Sequence, residues 1–141
     1  MNRKWFSIIA LVAAATFLFN LSSCAFNQHL VSIAVSPQGT TITLTGVGQQ
    51  VSTQFTALGT YIHPPQTRDI TSTAVWTTDT PTIIFADPTT PGLVTTTGNG
   101  CGTNLGVSAK VYSNPSNPSS GSVVVGTATM NVSFGSGSSC P

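Results

Sequence analysis

Few side chains in the 141-residue chain can do acid–base or nucleophilic work: three aspartates (Asp69, Asp79, Asp87), no glutamate, and two histidines, His29 and His63. A general base must be held against the proton it removes. His63 lies in His63-Pro64-Pro65, beside a turn, with no Ser–His–Asp arrangement legible around it. Ser136, in Phe134-Gly135-Ser136-Gly137-Ser138, does not match the Gly-x-Ser-x-Gly nucleophile elbow and precedes no helix. The aspartates lack the Asp-x-Asp-x-Asp-Gly spacing of a calcium loop, although loops at one end of a β-sandwich could bring two of them to a weak ion site. Gly98-Asn99-Gly100-Cys101-Gly102 has the look of a dinucleotide loop, but such a loop needs a helix after it to hold the pyrophosphate. The residues that follow alternate as a strand, so these glycines are expected to form a tight turn. No catalytic residue, cofactor or metal site is expected.

Charge narrows the partners further. Only 5% of residues are Asp, Glu, Lys or Arg, against a usual ~25%. Arg3 and Lys4 sit at the extreme N-terminus, which leaves Arg68 and Lys110 against the three aspartates. Two separated cations make no basic patch, and nucleic acid is excluded as an electrostatic partner. Disorder combines low hydrophobicity with high net charge; here 40% of residues are hydrophobic. Thr favours strands, while Gly, Pro and Ser punctuate turns. The composition is that of one all-β domain, and the length is too short for two comfortable cores.

The elements that position these residues begin after an address. Arg3 and Lys4 form a positive n-region and Ile8–Phe19 an apolar run that Asn20 ends. A membrane span needs ~20 apolar residues, so this shorter run fits the h-region of a signal peptide over residues 1–23. Leu21-Ser22-Ser23-Cys24 resembles the lipobox of bacterial lipoproteins. That resemblance implies cleavage before Cys24, a diacylglyceryl group on its sulfur, and a membrane partner held through that anchor. The other reading is ordinary signal-peptidase cleavage nearby, leaving a soluble secreted protein. Ala25 after the cysteine resembles the outer-membrane sorting pattern, so an exported, lipid-anchored chain in the cell envelope is expected. In a bacterial setting the Asn131-Val132-Ser133 sequon has no meaning. With Cys24 lipidated, Cys101 and Cys140 remain for a disulfide in an oxidising compartment; alone they make no structural zinc site.

Past a short tether (residues 24–30), period-two alternation dominates 31–134. Val31, Ile33 and Val35 share one face. So do Ile42 and Leu44; Val51, Thr53, Phe55 and Ala57; Leu105, Val107, Ala109 and Val111; and Ala128, Met130, Val132 and Phe134. Turn signals such as Gly46-Val47-Gly48, Pro64-Pro65, Asp87-Pro88 and Asn99-Gly100 separate the runs. About seven antiparallel strands in a sandwich are expected. Residues 113–121, rich in Pro and Ser, should form a loop projecting from one end, and 135–141 a Gly/Ser tail pinned at Cys140. Trp76, Phe55, Phe85 and Phe134 are assigned to the core. Tyr61 and Tyr112, one beside a turn and one on the polar face of its strand, are the candidate ligand contacts.

The order of Val31-Ser32-Ile33-Ala34-Val35-Ser36-Pro37, Gln54-Phe55-Thr56-Ala57, Gly59-Thr60-Tyr61, Asp69-Ile70-Thr71, Val75-Trp76-Thr77, Pro91-Gly92-Leu93-Val94-Thr95 and Thr127–Val132 resembles the bacterial Ig-like group 2 family. The resemblance covers nearly all of the chain after the tether. It implies an immunoglobulin-like β-sandwich of the kind carried by intimin- and invasin-like adhesins and found beside carbohydrate-active modules. Here the domain stands alone instead of in tandem, and the family shares no catalytic residues to transfer. The expectation is a non-enzymatic envelope lipoprotein displaying one domain for structure or adhesion. The alternative is a carbohydrate- or protein-binding domain that uses its end loops, Tyr61 and Tyr112 to meet a surface protein or polysaccharide.

Overall fold

The computed structural model describes residues 28–62, 64–112, 122–135 and 140–141. Cys24, the signal segment, His63, Ser136 and the 113–121 loop lie outside the described residues. The described residues are all-β, with no helix. Ten strands follow in order: β1 (His29–Ser36), β2 (Thr40–Leu44), β3 (Ser52–Gln54), β4 (Thr56–Ile62), β5 (Gln66–Asp69), β6 (Val75–Thr78), β7 (Ile84–Ala86), β8 (Leu93–Thr96), β9 (Gly102–Tyr112) and β10 (Val123–Phe134). The first strand thus begins at His29, inside the stretch expected to be tether.

One layer of the sandwich is a continuous four-stranded sheet, β2-β10-β9-β6. The opposing strands form two three-stranded sheets, β1-β4-β5 and β3-β8-β7. Only Phe55 separates β3 from β4. At that residue the chain exchanges neighbours: the Phe55 amide donates to Gly92 O at 2.8 Å, and two positions on, Ala57 O accepts from the Ile70 amide at 2.9 Å. This exchange, with the short strands β5 and β7, raises the count to ten from the seven or so that alternation predicts.

Every pairing is antiparallel except β2 with β10, which run parallel from Thr40–Met130 to Leu44–Phe134. The physical reason lies in how β1 ends. After pairing with β4 through Ser36–Thr56, the chain passes Pro37 and Gly39 and joins the other sheet without reversing direction. The Gln38 amide group holds the crossing by donating to Val35 O at 3.0 Å and Thr127 O at 2.8 Å. The two layers meet closely here. A Cβ on Gly126 would lie 2.5 Å from Ile33 O and 2.6 Å from its Cγ2, so only a residue without a side chain lets β1 approach β10.

The core follows the alternation. Leu44, Phe55, Ala57, Ile84, Val94, Val107, Ala109 and Met130 are fully buried. Burying a side chain the size of Leu44 or Phe55 contributes roughly 1.5–3 kcal/mol. Two expectations are corrected. A bulge between Leu30 and Ser32 turns Val31 outward, to 47% exposure, and Leu30 takes its place against the core. In β7 it is Ile84, not Phe85, that enters the core. Phe85 is half-buried opposite Thr95, because alternation puts Ile84 on the inward face of this strand and Phe85 on the other. Trp76 packs against the core and donates its indole N–H to Thr71 O at 2.9 Å. No buried side-chain polar atom lacks a partner among the described residues.

Candidate functional site

The strand register sorts the chemistry-bearing residues to opposite ends of the sandwich. β9 and β10 form a hairpin whose connected end pairs Tyr112 with Val123. In the other layer, β1 starts where β4 ends, with His29 opposite Ile62, and β5 starts with Gln66 opposite Tyr61. Ile33 packs on Gly126 and Gly39 bonds Thr129, so β1 and β10 run alongside in the same direction. The start of β1, the end of β4, the end of β9 and the start of β10 therefore share one end, here called the near end.

Tyr61 and Tyr112 are both at the near end but belong to different layers. Tyr61 is half-buried and packs against the core from the inner face of β4. It fills space that Gly59 leaves open, for a Cβ on Gly59 would stand 3.2 Å from the Tyr61 ring and 2.8 Å from Leu30. The Arg68 guanidinium lies over the Tyr61 ring at 5.5 Å from its centre, within cation–π range. Arg68 also donates to Gln66 Oε1 at 2.7 Å, an oxygen that accepts a second bond from Gln28 at 3.2 Å. Tyr112 continues the outward face of β9 that carries Lys110, since the alternate residues Leu105, Val107 and Ala109 point inward. The two rings thus form no shared platform.

Lys110 stands at the centre of an outward row, paired with Val125 on β10 and Val75 on β6. This row, together with Arg68 and Gln66, was not singled out from sequence. The Val123-Val124-Val125 run was a visible signal, but cross-strand register is needed to see that its odd members meet Lys110 and Tyr112.

The aspartates do other work. Asp87 Oδ1 accepts from the Thr89 hydroxyl at 2.6 Å, the Thr89 amide at 2.7 Å and the Thr90 amide at 3.0 Å. Those bonds, the hydroxyl first, hold its carboxyl below the ordinary aspartate range. Asp69 is held down in the same way by the Thr71 hydroxyl and then by the Thr71 amide, whose bond is 2.8 Å. Asp79 accepts from the Thr80 hydroxyl at 2.9 Å, and its amide donates to Gly106 O at 3.1 Å. Each carboxylate therefore organises its own turn. No group of three or more His, Cys, Asp or Glu side chains gathers among the described residues.

At the far end, Cys101 and Cys140 are joined as a disulfide, with Cα atoms 5.8 Å apart and a sequence separation of 39. In the chain-entropy account a loop of that size contributes roughly 4 kcal/mol. Gly98 turns the chain just before it with φ +76°, and β9 follows directly, so the glycine-rich stretch leads into a strand. No protein-family model matches this chain, and no curated protein matches it in sequence.

Proposed function

We propose that the protein is an exported cell-envelope lipoprotein, fastened through Cys24, that presents one immunoglobulin-like β-sandwich of the bacterial Ig-like group 2 type as a non-enzymatic structural or adhesion module. The observation that carries this reading is the use of the ionisable groups. Asp69, Asp79 and Asp87 are each engaged by the threonine that follows in their own turns. Groups committed in this way serve the fold, and Thr and Ser take many of the outward strand positions that remain. The lipobox-like Leu21-Ser22-Ser23-Cys24 ends only five positions before β1 begins, an arrangement suited to holding a compact domain close to a bilayer.

Replacing Cys24 with Ser and fractionating the cells tests the anchor. The expected result is loss of the lipid mass and movement of the chain out of the membrane pellet. A variant that stays in the pellet with an unchanged mass overturns it. For the display role, the domain should enrich a surface protein or glycan in pull-down without turning over any probe it meets.

A further inference from the structure

Exposed apolar side chains are unevenly distributed over the sandwich. Among the described residues Val31, Ile62, Val75, Val123 and Val125 are large, apolar and exposed, and all five lie at or within two strand positions of the near end. Val75 is 50%, Val123 45% and Val125 47% exposed. Val47 and Leu58 are the remaining large exposed ones, in the far loop and mid-strand respectively. The bulge at Val31 is part of this pattern, because without it Val31 would have pointed into the core.

Charge divides in the same direction. Arg68 and Lys110 are the only cations after residue 4; Lys110 belongs to the near end, and Arg68, opposite Gly59 in mid-strand, extends its guanidinium over Tyr61 there. Arg68 reaches Tyr61 and Gln66, and Lys110 stands two positions from Tyr112. Asp79 bonds Gly106, about 20 Å down β9 from Tyr112 at ~3.3 Å per residue. Asp87 bonds Leu93, opposite Gln54, farther still from Ile62. One end of the molecule thus combines exposed aliphatic groups, two tyrosines and both cations, with Asp79 and Asp87 held away and Asp69, next to Arg68 but opposite Leu58 in mid-strand, tied to the Thr71 amide. Apolar area together with cations is what binds a protein to an anionic bilayer surface, and tyrosines favour the headgroup level.

We propose that the near end of the sandwich docks on an anionic phospholipid surface, with Val31, Ile62, Val123 and Val125 entering the headgroup layer and Arg68 and Lys110 meeting lipid phosphates. The reach of the tether agrees. Five residue steps from Cys24 to His29 span at most about 18 Å, so an anchored chain must keep this end beside the bilayer. That part rests on the Cys24 anchor; the distribution of side chains does not.

The test uses the protein as expressed, added to vesicles of phosphatidylcholine alone or mixed with phosphatidylglycerol, with amide hydrogen exchange read at both ends. The expected result is severalfold slower exchange at 29–32, 60–62 and 123–125 on the anionic vesicles only, unchanged exchange at 46–48, and loss of the effect at high salt. Arg68→Gln and Lys110→Gln should each weaken the anionic-vesicle partition about fivefold, while Val47→Asp at the far end leaves it unchanged. A chain that sediments with both vesicle types yet shows no charge-dependent protection of the near end overturns the docking and leaves the anchor standing. One that fails to sediment with neutral vesicles but gains near-end protection on anionic ones removes the anchor and supports the docking.

Discussion

The two layers of the sandwich hold together by different means. In the sheet β2-β10-β9-β6 the central strands run 11 and 12 residues with hardly a break, and backbone ladders do the work. The opposing layer is made of strands of three to eight residues, interrupted at Pro37 and Phe55. Where its ladders stop, uncharged polar side chains take over. Thr71 Oγ1 accepts the Ala57 amide at 2.9 Å, Thr96 Oγ1 accepts the Val51 amide at 2.9 Å, and Gln54 Nε2 donates to Phe55 O at 2.9 Å and Pro91 O at 3.0 Å. A chain with few charges can close a broken layer this way because hydroxyls and amides bond backbone groups without the desolvation cost of an ion. The abundance of threonine is therefore partly structural stitching, in addition to strand preference.

The contrast can be broken most forcefully at Phe55. Phe55→Ala removes a fully buried ring at the place where β3 passes into β4, and should cost about 3–5 kcal/mol in denaturant unfolding. A loss below about 1 kcal/mol would mean that the interrupted layer does not rest on this ring. A smaller effect separates stitching from laddering. Thr71→Val keeps the shape but strips the Ala57 amide of its acceptor, at about 1–3 kcal/mol. Thr127→Val, on the exposed face of the continuous sheet, should stay within about 0.5 kcal/mol. Equal effects at the two threonines would erase the distinction.

The smallest effect is one of pH. The carboxyls of Asp69 and Asp87 titrate lower in the folded chain than in the unfolded one. Their contribution is therefore fully present above the unfolded value of about 4 and is lost as the pH falls through the folded value. Below about pH 4, the protection of the Thr71, Thr89 and Thr90 amides, taken relative to the intrinsic exchange rate at each pH, should fall while that of the β9–β10 ladder is unaffected. Asp87→Asn should flatten the response at Thr89 and Thr90. An acid response that starts in β9–β10 would contradict this division.

The same division explains what could be read from the sequence. In β9 and β10, long alternating runs place Leu105, Val107, Ala109, Ala128, Met130 and Val132 inward, as the structure does. In the interrupted layer, alternation carries less information. Val31 leaves the predicted face because one bulged residue inverts the parity of everything before it. The polar Gln66–Asp69 segment has no apolar face to announce a strand. Parallel pairing of β2 with β10 depends on a crossing at Pro37, which hydrophobic patterning does not encode. The two tyrosines were legible as residues of interest, but their separation into different layers was not. The Cys101–Cys140 pairing followed from counting cysteines, and the structure joins those two residues.

The crossing at Pro37 has a mechanical consequence. Because β2 and β10 lie side by side and parallel over Thr40–Leu44 and Met130–Phe134, tension applied between the start of β1 and the end of β10 drags these strands past each other along their length. All the bonds between them must then yield together, in shear, whereas a hairpin pulled from its open end peels apart one bond at a time. A domain held at one end and tugged from the other is thus loaded in its most resistant direction.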